Sequence, residues 1–244
     1  MYKILLWVSI SFLLLSGVGW QLQSPGFRAA GKGGIVGTVK LNWPPPRLHA
    51  IDTSGDPICE QQHSDHPLMT ERSVVGSNGG LANVVVYISA GWSSSQTNST
   101  LLKPVQIRQK GCQFIPHLVA LDVNQTLEVI NDDPTTHDIH IISEHNQPWQ
   151  DTQMAGARPL DRTFAHDEVA IKIVCNTHPW MRGYIAVVTG PHAVTDQSGS
   201  FVIEDIPPGT YTLTAWQEAF GTKTEQVTVV PAKTARAEFS FQPK

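Results

Sequence analysis

The chain has 244 residues, of which 41% are hydrophobic, so burying a core presents no difficulty, and the length allows one or two domains. Only 16% of the residues are charged, and 19 glycines and 17 prolines favour short strands joined by turns, so we predict an all-β protein. A formal net charge of −4, without any run of lysines and arginines, argues against nucleic acid as a partner.

The N-terminus carries a short basic head followed by an uncharged apolar stretch from Ile4 to Trp20. This pattern is typical of an export segment, so we expect residues 1–30 to be a signal peptide or an uncleaved N-terminal anchor. The rest of the protein is expected in the periplasm or outside the cell. Any membrane contact would be made only by an uncleaved N-terminal segment.

Strand signals begin at residues 34–41, which alternate and are β-branched, and return at residues 81–88. Residues 42–80 between them are rich in proline and polar side chains and are predicted to be irregular. The polar tract from Ser93 to Thr100 has the composition of a linker.

The three cysteines are Cys59, Cys112 and Cys175. In an oxidising compartment an odd number suggests one disulfide and one thiol kept free. Histidines and a methionine lie close to Cys175 in sequence, so we predict a bridge between Cys59 and Cys112. Three unlinked buried thiols are the alternative.

A compact series of strand signals runs from Lys103 to about Val188, with turn-rich stretches between the strands. After Gly190 the sequence pattern changes to short strand signals with the spacing of an antiparallel β-sandwich. The predicted strands cover residues 105–107, 118–121, 127–130, 138–142, 169–175 and 184–188, then 200–203, 209–216, 226–230 and 237–241.

The strongest chemical signal is the heptapeptide that begins at Cys175 and contains His178 and Met181. Alternation along 169–175 places Val169, Ile171, Ile173 and Cys175 on one face, so the thiol should project into a dry interior. A copper ion that cycles between Cu(I) and Cu(II) suits a soft thiolate, imidazoles and a weak thioether. Zinc could use the thiolate and imidazoles but gains little from the thioether.

A further histidine must come from elsewhere, and His137 and His140 are both candidates. In an extended segment these two side chains point to opposite faces, so only one can meet Cys175. His137 shares its face with Ile139 and Ile141, which indicates the core side. The predicted metal ligands are therefore His137, Cys175, His178 and Met181.

The region resembles small cupredoxins of the amicyanin and plastocyanin type over about 85 residues. The residues from Cys175 to Gly183 match the family loop Cys-x-x-His-Pro-aromatic-Met-Arg-Gly, and His137 opens a His-x-x-His segment after a strand ending in Asn131. The resemblance implies a Greek-key β-sandwich holding one type 1 copper ion. One departure is Asp138, because the family usually has asparagine directly after the first histidine ligand.

The two flanking parts resemble halves of a carboxypeptidase regulatory-like, or transthyretin-like, β-sandwich. The first half is matched at 34–41 and 82–88, and the second at 195–201 and 206–211. We therefore predict a discontinuous sandwich formed by 33–92 plus 191–244, with a cupredoxin domain at 100–190 inserted into it. The linkers near 93–102 and 189–194 should then lie close together. Two domains in tandem are the alternative.

These features predict single-electron transfer with an unidentified redox partner protein, and no enzyme activity. All four ligand positions are filled by protein side chains, which leaves no open position for a substrate. Two rival functions remain open. One is copper storage or delivery, and the other is adhesion or glycan binding through the transthyretin-like sandwich, for example by Trp92 or Trp216.

Several other residues carry weaker signals. His63 and His66 could form a second metal site, but exposed histidines in a polar loop are more often solvated. His117, beside Pro116, is predicted to be structural or peripheral. Trp180 could contact a redox partner or simply shield the metal site from solvent, and the sequence does not decide between these roles.

Overall fold

A computed structural model of the chain describes residues 31–93 and 102–242. Within those ranges the protein consists of sixteen strands and one short helix, which confirms the predicted all-β class. In chain order the elements are β1 (Gly33–Leu41), α1 (Pro57–Gln62), β2 (Val85–Ala90), β3 (Val105–Gln109), β4 (Phe114–Ile115), β5 (Leu118–Asp122), β6 (Leu127–Asn131), β7 (His137–Ile142), β8 (Trp149–Gln153), β9 (Leu160–Arg162), β10 (Glu168–Cys175), β11 (Arg182–Val188), β12 (His192–Val194), β13 (Ser200–Ile206), β14 (Gly209–Gln217), β15 (Gly221–Val229) and β16 (Thr234–Phe241).

The predicted export segment lies outside the described residues, as does most of the predicted linker, 94–101. Over residues 31–93 and 102–242, no helix has the length and apolarity needed to cross a bilayer. The predictions of a signal peptide or anchor and of an exported location stay predictions.

One β-sandwich combines the first strands of the chain with the last ones. Its two sheets have the orders β13-β1-β16 and β12-β2-β14-β15. β1 pairs antiparallel with β13 and parallel with β16. Gly37 in β1 lies so close to β16 that an added Cβ would clash with the carbonyl of Ala237. The core between the sheets takes residues from all of these parts, including Ile35, Leu213 and Phe239.

A second β-sandwich is formed by residues 105–188 alone. Its sheets have the orders β5-β11-β10-β7-β8 and β4-β3-β6-β9, so sequence neighbours are often not sheet neighbours. Alternating residues of β7 and β10, among them Ile139, Ile141 and Ile173, fill the core. Two β-sandwiches, as predicted, are therefore present.

Strands on both sides of the second sandwich complete the first. β2 pairs with β12 and β14, and beside this pairing the amide of Ile88 donates to the carbonyl of Pro191 at 3.2 Å. Gly190 also lies against the indole of Trp92. On these contacts we propose the discontinuous division, 33–92 plus 191–244 around 100–190, in preference to tandem domains.

The second predicted strand begins later than expected. Residues 81–88 carry a continuous strand signal, but β2 starts at Val85. Asn83 has a φ of 55°, and this left-handed residue interrupts extended pairing before the strand. Leu81 and Ala82 are buried all the same, and Leu81 forms only an isolated antiparallel bridge with Val75 instead of a continuous strand.

Residues 42–80, predicted to be irregular, contain α1. The part around α1 lies over one end of the second sandwich, whereas Val75 and Gly80 pack against the first. Asp56 caps α1 by accepting hydrogen bonds from the amides of Ile58 at 2.8 Å and Cys59 at 3.1 Å, and Pro57 occupies the first helical turn. Cys59 forms a disulfide with Cys112, as predicted, and this bond attaches α1 to the sandwich. The segment thereby covers the end at which β7 begins and β10 ends.

Candidate metal centre

The pairing of two strands brings distant residues of the chain to one buried point. β7 and β10 run antiparallel, and Ile139 faces Cys175 in the ladder. His137 at the start of β7 and Cys175 at the end of β10 therefore lie at the same edge of the sheet. The loop from β10 to β11 then carries His178 and Met181 to that edge.

Three donor atoms converge there. The Nδ1 atoms of His137 and His178 are 3.0 Å apart, and the Sγ of Cys175 lies 3.8 Å and 3.6 Å from them, respectively. All three side chains are buried. Donors bound to one first-row metal ion at about 2.0–2.3 Å are themselves about 3–4 Å apart, so these separations suit a shared ion.

Met181 is buried in the same core cluster as Cys175. Its amide donates to the carbonyl of His178 at 2.9 Å, and its carbonyl accepts from the amide of Cys175 at 3.2 Å. These two bonds close the loop tightly and hold Met181 next to the three converging donors. Its role as a fourth ligand stays a prediction.

His140 is not part of the cluster. It is half-buried on the opposite side of β7, while His137, Ile139 and Ile141 are fully buried. The alternation of a strand thus separates the two histidines as the sequence pattern indicated.

A carboxylate, buried in Asp133 and partly exposed in Asp56, holds each histidine by its other nitrogen. Nε2 of His137 lies 3.1 Å from Asp133 Oδ2, and Nε2 of His178 lies 3.2 Å from Asp56 Oδ2. A carboxylate that accepts the Nε2 proton leaves the lone pair on Nδ1, which is the atom aimed at Cys175. Both imidazoles are therefore oriented to offer Nδ1 to a metal ion.

The two carboxylates are themselves held as anions. Burial opposes ionisation of Asp133, but hydrogen bonds from His137 and from the amides of Cys112 and Gly111 outweigh it, so the pKa of Asp133 is lowered. At Asp56, too, burial would raise the pKa, but hydrogen bonds from the amides of Cys59 and Ile58 and from His178 have the larger effect and lower it.

The pKa of Cys175 is also lowered. Burial alone would raise it, but hydrogen bonding and charge attraction from His137, together with the amide of Asp138 at 3.4 Å, have the larger effect. The thiolate is the form of cysteine that binds metals. A favoured thiolate, two imidazoles with Nδ1 turned toward it and a buried methionine in the same core cluster together match the donor set that copper prefers.

The metal centre is covered on the His178 side. Asp56 and α1 lie against this histidine, and the indole of Trp180 is tilted over its ring at a centroid distance of 5.2 Å. Trp180 is half-buried and donates from Nε1 to the carbonyl of Cys112 at 3.2 Å. These contacts shield His178, which is 1% exposed, from solvent.

Asp133 and Asp56 are the functional residues that sequence patterns missed. Asp133 stands four residues before His137, a spacing that no strand rule connects with ligation. Asp56 carried the signal of a helix cap before Pro57, but its contact with His178, 122 residues away in sequence, has no local signature.

The other candidates do not form a second site within the described ranges. Both ring nitrogens of His63 contact backbone carbonyls, those of His66 and Gly111. Trp92 packs against the first sandwich core, and Trp216 packs edge-on against Tyr184. Both tryptophans are half-buried.

Comparison with known proteins gives two kinds of similarity. Residues 184–242 match the family model of the carboxypeptidase regulatory-like domain, which confirms that resemblance for the C-terminal part of the first sandwich. No curated protein matches the chain.

Among solved structures, a Cu-containing nitrite reductase (NirK) from Thermus scotoductus SA-01 is 23% identical over 36% of this chain and 23% of its own, with a TM-score of 0.34. A reduced Cu(I) form of an amicyanin mutant is 15% identical over 42% of this chain and 98% of its own, with a TM-score of 0.32. A purple cupredoxin from Nitrosopumilus maritimus is 21% identical over 34% of this chain and 98% of its own, with a TM-score of 0.30. The chain is thus similar to carboxypeptidase regulatory-like domains over residues 184–242 and, over part of its length, to cupredoxin structures.

Proposed function

We propose that this protein is an exported copper protein that transfers single electrons through one type 1 copper ion held by His137, Cys175, His178 and Met181. The observation that carries the proposal is the convergence of the donor atoms of Cys175 and the two histidines within 4.8 Å of one another at a buried point. Copper bound there would accept and release one electron at a time. A protein redox partner belongs to the proposal, and an enzymatic step does not.

The surrounding residues would keep the ligands in place during electron transfer. The β7 and β10 ladder fixes His137 and Cys175, and the hydrogen bonds that both imidazoles donate to the carboxylates of Asp133 and Asp56 fix the orientation of the rings. A site whose ligands move little between two oxidation states needs little reorganisation. Burial of the three converging ligands also disfavours the rival role in copper delivery, in which the metal must leave readily.

The central test is the intense visible absorption that thiolate-to-copper charge transfer produces. We expect the wild-type protein to develop this band when Cu(II) is added, and Cys175→Ser to lose it entirely, because serine supplies no thiolate. His140→Gln is the matched control and should retain the band, since His140 lies outside the cluster. A colourless wild-type protein, or a coloured Cys175→Ser variant, would overturn the proposal.

Asp138 provides a prediction about the reduction potential. Its carboxylate accepts hydrogen bonds from Asn176 at 3.3 Å and Gln150 at 3.2 Å, and its amide donates to Cys175. Negative charge close to copper favours Cu(II), so Asp138→Asn should raise the potential by roughly tens of millivolts. Voltammetry of both proteins measures the difference, with Asp161→Asn on exposed β9 as the control. An unchanged or lower potential in Asp138→Asn would contradict the prediction.

Copper delivery is tested separately by adding a mild chelator to the coloured protein. Slow loss of the band over hours agrees with electron transfer, whereas loss within the mixing time would support delivery instead.

A further inference from the structure

A cavity of about 650 Å³ lies between residues 46–73, the loop that carries Met181 and the end of the first sandwich. Its apolar wall includes Leu48, Leu68, Met69 and Phe220. Pockets of roughly 300–1,000 Å³ are those that hold small organic ligands in proteins. Three of these four side chains belong to the segment that covers the metal centre.

Cationic groups without partners border the same cavity. Arg47, Arg72 and Arg182 line it, and none of their guanidinium groups forms an ion pair or hydrogen bond with any residue in 31–93 or 102–242. Arginine presents a planar set of donors that suits carboxylates and similar anions. Three unpaired guanidinium groups around one cavity therefore favour a negatively charged occupant.

His117 adds a buried donor. Its Nε2 lies 2.5 Å from Glu218, whereas its Nδ1 forms no hydrogen bond and has only an ion-pair contact with Glu71 at 3.6 Å. Burial would lower the pKa of His117, but Glu218 and Glu71 outweigh burial and raise it to about 9, so the ring is cationic at neutral pH. Nδ1 is therefore a buried donor with no acceptor within hydrogen-bond distance, and an anionic ligand could supply a closer one.

We propose that this cavity binds a small organic anion with an apolar body, of the aromatic carboxylate class. The anionic oxygen atoms would accept from His117 Nδ1 and the arginines, and the ring would pack against Leu68 and Phe220. Four cationic groups border the cavity against two carboxylates, Glu71 and Glu218, so a net positive charge remains for the ligand. The site goes beyond the proposed electron transfer and does not depend on copper.

The test is calorimetric titration of the full-length, copper-loaded protein with 2-naphthoate and, separately, with 2-naphthalenemethanol, which has the same ring without the charge. We expect the acid to bind about tenfold or more tightly than the alcohol, as for a hydrogen bond to a charged group. Arg72→Gln should weaken binding of the acid about two- to fivefold and leave the alcohol unaffected.

Leu48→Glu is a second variant, at a position 41% exposed on the rim of the cavity. It should weaken binding of 2-naphthoate about threefold or more, because the new carboxylate repels the ligand and the apolar contact is lost. Val230→Glu, 42% exposed and outside the cavity lining, is its matched control and should bind normally. Equal affinity for acid and alcohol, no binding of the acid at millimolar concentration, or unchanged affinity in both cavity variants would overturn the proposal. Binding heat and the visible copper band are independent measurements, so either proposal can fail alone.

Discussion

The double variant Cys59→Ala, Cys112→Ala is expected to lower the free energy of unfolding by about 4 kcal/mol, as chain entropy predicts for a loop of this length. The two cysteines are 53 positions apart, so their bond strongly restricts the unfolded chain. Denaturant titration of the variant and the wild type measures the difference. The variant retains Cys175, so the proposed copper ligands are all present in both proteins.

The same variant should also expose His178. The disulfide attaches α1 to the second sandwich, and Asp56 at the start of this helix contacts the histidine. Once the tether is removed, we expect faster modification of His178 by diethyl pyrocarbonate, read by mass spectrometry. His145, outside the tethered segment, serves as the internal control. A loss of stability below about 1 kcal/mol with unchanged modification of His178 would show that packing alone holds the segment.

Stability should fall by roughly 3 kcal/mol between pH 6.5 and 9 through His117 alone, which is the free energy equivalent of its shift in pKa. The pKa of His117 is raised from 6.5 to about 9 because Glu218 and Glu71 outweigh the opposing effect of burial. A group whose pKa is raised on folding stabilises the protein fully below its unfolded pKa. This stabilisation disappears as the pH rises through the folded pKa.

The His117→Gln variant isolates this contribution. The pKa of His137 is also raised, to about 8. In the wild type the losses of stability caused by deprotonation of His117 and of His137 would therefore overlap in pH. We therefore expect the stability difference between wild type and His117→Gln to shrink by roughly 3 kcal/mol from pH 6.5 to pH 10. Guanidinium denaturation at a series of pH values measures it. A difference that does not change with pH would mean that His117 is neutral in the folded protein.

Strand alternation predicted most of the metal centre because the rule is local and geometric. The choice of His137 over His140, and the placement of Cys175 on the face of Ile171 and Ile173, needed only the period of a strand. The four chosen ligands stay a prediction, but the structure brings three of their donor atoms together.

The alternation fails at the start of β10. Val169 was expected on the core face, yet it is half-buried and packs with the cluster between the two sandwiches. A register shift between Glu168 and Ile171, with Ala170 at a φ of 74°, turns the chain there. Nothing in the local residue types indicates that bulge, because alanine at positive φ is unfavourable in isolation.

The polar edge strand β8 was also missing from the strands predicted from sequence. β8 has the sequence Trp-Gln-Asp-Thr-Gln and is largely exposed, so it shows no apolar alternation, although it pairs with β7 along its whole length. Its place is decided by the ladder of its neighbour and by Gln153, whose side chain is buried and hydrogen-bonded to Gln109. Such strands are specified by long-range pairing, which a single sequence window does not contain.

The contacts between distant segments were beyond sequence reasoning for the same reason. His117 was predicted to be structural, but its neighbours Glu71 and Glu218 come from far away in the chain on either side. The contacts of His117 with Glu71 and Glu218 depend on how residues 42–80 and the end of β14 pack against the second sandwich. The hydrophobic periodicity of the sequence does not predict that packing.

The position of β1 has a consequence for the order in which the protein can assemble during synthesis. Gly34 pairs with Thr234, so the first strand of one sandwich has no neighbour on that side until almost the whole chain has left the ribosome. Residues 105–188, in contrast, contain every strand of their own sandwich and can close as soon as they emerge. The sandwich of residues 105–188 can therefore fold first. Until the final strands are synthesised, β1 and β2 remain without most of their partners and their apolar faces stay exposed.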